Sequence, residues 1–324
     1  MHTKKSWRQT VENLHAKDAC AYPVRCLCGM FGVSKQAYYK YDGSRVLKKT
    51  AREAFAVEYI RGIRERCPGI GGKKLWFMYR RDFPDADRVG RDKFEEIIDR
   101  NGLKVRNKRR KPRTTDSSHG LRTYPNLARS FIPTAPGQLW VSDITYIPLK
   151  SGEADHVFAY LSLVTDAYTH EIIGWALGPD LSAAYPVKAL EMAMRRLAGM
   201  NEQDKKKLIH HSDRGTQYAS AEYVRLLKGE GIRISMTENG NPKENAQAER
   251  INNTVKNELL KGMSLTGIGQ AAAALAKGIE FYNNERPHMS NDMMTPAQAS
   301  GCTGRLKKRW RSYRDEAINA AAGL

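Results

Sequence analysis

The run LWVSDITYIPL, Leu139–Leu149, constrains the fold more than any other stretch. Its β-branched and aromatic residues read as a strand that wants burial, yet Asp143 sits in its middle. A carboxylate there costs free energy unless a partner neutralises it. Asp213 is comparable: it ends the compact strand KLIHHSD and precedes the turn RGTQY. The two are far apart in sequence, but strands lying side by side would point both carboxylates at one spot. Such a pair calls for cations. A hard, oxygen-seeking metal such as Mg²⁺ suits it better than zinc, because no thiolate or close histidine pair joins in.

The surroundings read as an α/β layer. VFAYLSLVTDAY and EIIGWAL follow the first strand after the turns KSGEAD and DAYTH, which suggests an antiparallel meander. A helix over Ala184–Ala198 precedes the Asp213 strand, and a helix near Glu222–Leu227 precedes the strand IRISM. The order βββαβαβα is that of helices covering a sheet. A third ligand is expected from the helix in ENGNPKENAQAERINNTVKNEL. At helical spacing Glu249 shares a face with Asn253 and Lys256, while Ile251, Val255 and Leu259 form the side that packs inward. Glu258 lies opposite Glu249 and, with Glu238 and Glu244, is expected to be solvated. Asp166, in TDAYTH, reads as turn chemistry.

Composition points to the partner. Among 324 residues, 54 lysines and arginines face 35 acidic residues, a formal net charge of +19, which favours a polyanion. No apolar run approaches the roughly 20 residues that cross a bilayer, and the N-terminus lacks the apolar segment of a secretory signal. The expected location is the cytosol. Cys20, Cys26, Cys28, Cys67 and Cys302 show no zinc-module spacing and read as structural thiols.

Upstream of the core, YPVRCLCGMFGVSKQAYYKY has the grammar of a helix-turn-helix: an apolar-periodic stretch stops at Gly32 and Ser34 can cap a second helix. Lys35, Gln36, Tyr38 and Tyr39 are the candidate DNA readers. A second helical region runs from about Ala51 to Leu103. Its Lys73 and Lys74 have two readings, DNA contact or a solvated basic face. Seven basic residues between Lys104 and Arg113, among them Arg106, Lys108, Arg109 and Arg110, mark a self-repelling linker suited to phosphates. The tail RLKKRWRSYRDE offers stacking surfaces on Trp310 and Tyr313 or one amphipathic helix.

WVSDITYIPL, AYLSLVTDAYTHEIIGWAL, HHSDRGTQYAS, SMTENGNPKENAQAERINNTVKNEL and FYNNERPHMSNDMMTPAQA together resemble the catalytic core of insertion-sequence transposases of the IS-three family, relatives of retroviral integrases. The resemblance is close over about Ser130–Ala299 and looser over the two upstream helical regions. Asp143, Asp213 and Glu249 match the family's DDE triad, with its usual 35 residues between the last two. It implies a ribonuclease H-like core, a mixed five-stranded sheet with flanking helices, preceded by all-α helix-turn-helix modules. The implied divisions are 1–48 for the helix-turn-helix region, 49–103 for a second helical DNA-binding module, 104–133 for the basic linker, 134–300 for the catalytic core and 301–324 for the tail.

The chemistry the resemblance implies is phosphoryl transfer with two Mg²⁺ ions per site, Mn²⁺ being able to substitute. Asp143 would bridge both ions, with Asp213 and Glu249 each completing one shell. Element ends are nicked and the freed 3′-hydroxyl is joined to DNA. Lys256 is placed toward DNA beside Glu249. His211 is expected to orient the Asp213 loop rather than bind metal, with Arg214 and Gln217 organising that loop or touching DNA. The FYNNERPH segment reads as capping and packing or as DNA contact. Implied partners are double-stranded DNA, as terminal inverted repeats and target, further copies of the chain assembled on DNA, and an upstream-frame helix-turn-helix protein, since no sustained heptad pattern is present. No membrane partner is expected. Two other readings share these residues: a DNA-binding regulator with a silent core, and a ribonuclease H-like nuclease without strand transfer.

Overall fold

The computed structural model describes residues 3–15, 22–40, 43–83, 89–105, 120–150, 157–238 and 242–321. They form two compact units, Met1–Ala56 and Val57–Leu324. The first contains α1 (Thr3–His15), α2 (Val24–Met30), α3 (Lys35–Tyr39) and the start of α4 (Gly43–Arg66). Val11, Val24, Leu27 and Cys28 make its small core, with Trp7, Val33 and Tyr38 packed against them. The Ser34 hydroxyl caps α3 by accepting from the Ala37 amide, as its position in the sequence suggests. Arg8 lies over the Tyr38 ring at 5.0 Å and donates to its carbonyl, so Tyr38 faces inward while Lys35, Gln36 and Tyr39 are exposed.

The second unit begins in α4 and continues through α5 (Gly72–Asp82) and α6 (Arg91–Arg100). Ile60, Ile63, Cys67, Ile70, Leu75, Met78, Tyr79, Phe94, Ile97 and Ile98 are buried, which is the apolar periodicity of the sequence turned into a packed face. After β1 (Leu139–Leu149), β2 (Val157–Asp166) and β3 (Ile172–Gly178) come α7 (Ala184–Met194), α8 (Glu202–Lys207), β4 (Ile209–Ser212), α9 (Ala221–Gly229) and β5 (Arg233–Met236). The sheet order is β3-β2-β1-β4-β5, antiparallel on the meander side and parallel from β1 to β4 and β5. This mixed five-stranded sheet with flanking helices is the ribonuclease H-like arrangement.

One face of the sheet packs Trp140, Val164, Ile173 and Ile234 against Leu190, Tyr223 and Leu227 of α7 and α9. Gly174 lets α7 lie directly on β3: a Cβ there would meet the Ala189 carbonyl oxygen at 2.0 Å. The opposite face, around Leu139, Val141 and Ile209, is covered by Ala128 and Ala248. Ala248 belongs to α10 (Ala246–Thr254), which continues as a π turn over Val255–Leu259. Then follow α11 (Ile268–Asn284), the short α12 (Pro296–Ala299) and α13 (Tyr313–Ala321). From the end of α11 the Asn283 amide reaches the outer strand, accepting from the Ile172 amide at 3.0 Å and donating to its carbonyl at 2.9 Å.

Candidate active site

Strands β1 and β4 run parallel with Val141 opposite His211; Asp143 and Asp213 stand two residues further along each chain. Residues two apart in a strand share a face, so the carboxylates are carried to one place by the pairing itself. Burial first, then the Asp213 charge and, more weakly, Glu249, push the Asp143 carboxyl up to about 7, against opposing hydrogen bonds from the Ile144 amide and Asn252. Two carboxylates that repel in this way take up a proton or a cation. Asp213 is fixed by its own turn: its Oδ1 accepts from the Gly215 amide at 2.9 Å. Beneath them lies the buried Tyr218 phenol, held well above its ordinary pKa by burial and then by Tyr223 and the two aspartates, and so neutral.

Glu249 lies exposed in the first turn of α10, and burial alone raises its carboxyl. Asp213 acts on the Asp143 carboxyl more strongly than Glu249 does. Among the described residues no three Asp, Glu, His or Cys side chains stand close enough to hold a metal ion. What anchors α10 to the sheet is Asn252, whose Nδ2 donates to Asp143 Oδ2 at 2.7 Å. Asn253 is exposed like Glu249, whose face it shares, and the buried Asn252, one turn beyond Glu249, is the residue that reaches the aspartate. Ile251, Val255 and Leu259 are buried, as their spacing suggests. The donor set is all oxygen, which fits a hard divalent cation.

His211 is buried between Ser235 Oγ, at 2.9 Å, and the Glu244 carbonyl, at 3.1 Å. It braces the entry to α10 against β5. The Asn245 amide also ties that entry to the sheet, donating to the Ser142 carbonyl. Arg214 Nε donates to the Thr237 carbonyl at 2.6 Å, and Gln217 Nε2 to the Leu181 carbonyl at 2.9 Å. Asp166 is a buried turn residue, accepting from the amides of Gly137, Tyr168 and Thr169.

Of the residues expected at DNA, Lys73 is exposed on α5 and Lys256 is half-buried in the π turn. Arg106, Lys108, Arg109 and Arg110 lie outside the described residues. Lys74 points inward instead: its ammonium bonds both Glu258 oxygens, at 2.7 and 3.0 Å. Glu258, expected to be solvated, is the centre of an ion cluster, because Arg286 also forks onto it through Nε and Nη2 at 3.0 and 3.1 Å. Nothing local in the sequence signals this, since the partners lie 184 and 28 residues away. In the tail, Trp310 packs inward, its Nε1 donating to Ser290 Oγ and the Arg250 guanidinium 4.9 Å from its ring centre. A cavity of about 340 Å³ lined by His170, Gln247, Lys308 and Trp310 lies beside it.

Residues 133–242 and 230–296 each match the family described as Integrase core domain. The chain is 33% identical over 275 residues to the insertion element IS600 uncharacterized 31 kDa protein of Shigella sonnei, covering 84% of this chain and 96% of that one. It is 30% identical over 257 residues to the putative transposase for insertion sequence element IS986/IS6110 of Mycobacterium tuberculosis (strain CDC 1551 / Oshkosh), covering 78% of this chain and 90% of that one. Against the transposase InsF for insertion sequence IS3A of Escherichia coli (strain K12) it is 31% identical over 201 residues, 61% of this chain and 66% of that one. Identity at this level over nearly the full length of two relatives, together with the integrase core match across Asp143 and Asp213, places the chain: it belongs to the insertion-sequence DDE transposases built on an integrase core domain.

Proposed function

We propose that Asp143, Asp213 and Glu249 are the catalytic carboxylates of this transposase, and that it nicks the ends of its element and joins each freed 3′-hydroxyl to a second DNA strand. The observation that carries this reading is the convergence of Asp143 and Asp213 on neighbouring parallel strands, with a mutual repulsion that a divalent cation relieves. Asp143 and Asp213 would hold the ions, with Glu249, carried on the helix packed against the sheet, completing the set. When bound, divalent ions supply Lewis-acid activation of the attacking oxygen and stabilise the leaving 3′-oxygen.

The chain's own residues supply position. Asn252 orients the Asp143 carboxylate, the turn at Gly215 orients Asp213, and His211 fixes the entry to the helix that bears Glu249. Lys73, Lys35 and Gln36 are exposed and Lys256 is half-buried beside the site; these basic or polar groups serve as phosphate or base contacts.

The test is a labelled duplex bearing the inverted repeats that flank the reading frame, incubated with Mg²⁺ and with Asp143→Asn, Asp213→Asn or Glu249→Gln. Each substitution should abolish nicking and joining while leaving duplex affinity within about threefold, since only counter-ion-releasing contacts set that affinity. A variant that cuts at the wild-type rate removes its residue from the assignment. Nicking without joining of a precut 3′-hydroxyl end leaves a nuclease only.

A further inference from the structure

The helix that bears Glu249 is held at two ends by different parts of the molecule. At its entry Asn245 ties it to the Ser142 carbonyl, and in its last turn Asn252 fastens it to Asp143. Past its end the chain winds into the π turn Val255–Leu259, a form that admits one extra residue per turn and recurs at functional sites. Glu258 on that turn is gripped from two sides, by Lys74 of α5 and by the fork of Arg286, which follows α11 and is 3% exposed. The backbone joins in: the Gly69 amide donates to the Glu258 carbonyl at 2.8 Å. Arg66 pairs with Glu285 and lies 5.0 Å from the Phe281 ring centre.

Stability alone does not account for this cluster. Val255 and Leu259 already bury the turn, and a buried ion pair is worth no more than well-packed apolar side chains of the same volume. What ionic groups add is orientation, because a bidentate fork fixes a carboxylate in one plane. Burial works against the Glu258 charge, but Arg286 and Lys74 overcome it and hold the carboxyl below its usual range. Burial, followed by Arg286, pulls the Lys74 ammonium below its ordinary value. Lys74 is thus the second cation on a carboxylate that Arg286 alone neutralises.

We infer that Glu258 is a positioning residue: gripped by Lys74 and Arg286, it lets the helical segment 57–82 set the angle of α10, and so the approach of Glu249 to Asp143 and Asp213. This rests on the catalytic reading above for its consequence, though not for its geometry. A segment that carries the exposed Lys73 next to Lys74 can in this way report its contact with DNA to the active-site helix.

Lys74→Met in the full chain is the informative variant, because it leaves Glu258 and Arg286 as a matched pair and spares the fold. Amide hydrogen exchange of peptides spanning 246–254 should accelerate at least about tenfold, as loss of the Lys74 ion pair with its two charge-assisted contacts allows, with β4 and β5 peptides unchanged. The single-turnover nicking rate at saturating duplex should fall by a similar factor with duplex affinity unchanged, and Lys74→Arg should restore both. Unchanged exchange over 246–254 overturns the inference, as does acceleration spread equally over β4 and β5. If Lys74→Met does not fold, Arg286→Lys, which keeps the charge but loses the fork, is measured in the same way. Loss of the catalytic reading would show separately, as wild-type cutting by Asp143→Asn, and would leave the exchange result standing.

Discussion

Replacing Gly69 with alanine puts the contact between the helical segment and the active-site helix to a quantitative test. A Cβ at this position would lie 2.1 Å from the Asn257 carbonyl oxygen and 2.6 Å from the Glu258 Cα. Both are backbone atoms, so no side-chain rotation relieves the clash. Ordinary contact begins at 3.4 Å, and the two segments must therefore part by about 1.3 Å. The Gly69 amide to Glu258 carbonyl bond, now 2.8 Å, does not survive that movement. Overpacking of this kind costs about 1–3 kcal/mol and the lost hydrogen bond about 1 kcal/mol, together about 2–4 kcal/mol. For a unit of this size that is a fall in Tm of about 4–7 °C. Gly62 supplies the control: it lies in α4 with nothing within 4 Å of its would-be Cβ. Gly62→Ala should raise Tm slightly, by the ~1 kcal/mol that alanine gains over glycine in a helix. Thermal melts of the three proteins in one buffer decide the matter. If Gly69→Ala melts within a degree of wild type, or Gly62→Ala falls with it, the close-approach argument is wrong.

The Glu258 carboxyl is held below its ordinary 4.5, so its pairing stabilises the fold above that pH and the contribution is lost as pH falls through the depressed value. Urea unfolding of wild type and Glu258→Gln should therefore differ at pH 7 and converge as the solution is acidified below the ordinary carboxyl range; a gap that does not shrink in acid contradicts the pairing. Trp310→Ala removes the bond to Ser290 and the stacking on Arg250, about 1–3 kcal/mol together, and should expose the tail to trypsin at Lys307 and Arg311, whereas wild-type resistance in that variant would mean the tail is held elsewhere.

How far the sequence could be read depended on whether a residue's partner was local. Asp143 stood out because a carboxylate interrupts an otherwise β-branched run, and Asp213 because it closes a strand. The strand pairing that unites them was not legible from the residues alone, because the α/β order leaves open which strands are neighbours. The inward face of α10 was likewise legible from helical spacing. Glu258 was not, since α-helical geometry alone turns it outward and only a third layer, brought in by α5 and the Arg286 segment, covers it. Lys74, read as a DNA contact or part of a solvated basic face, turns inward for the same reason. That Asn252 reaches Asp143 depends on how the helix rolls against the sheet, which helical spacing alone does not fix. Tyr38 turned inward because the first unit is too small to seat its core without an aromatic from α3.

The Asn283 side chain matches the Ile172 peptide group donor for acceptor, as a neighbouring strand would. Ile172 opens β3, the border strand of the sheet, whose outward N–H and C=O would otherwise invite pairing with a stranger. An asparagine from the same chain thus impersonates a sixth strand for the length of one residue, and two copies meeting border to border find that docking point already taken.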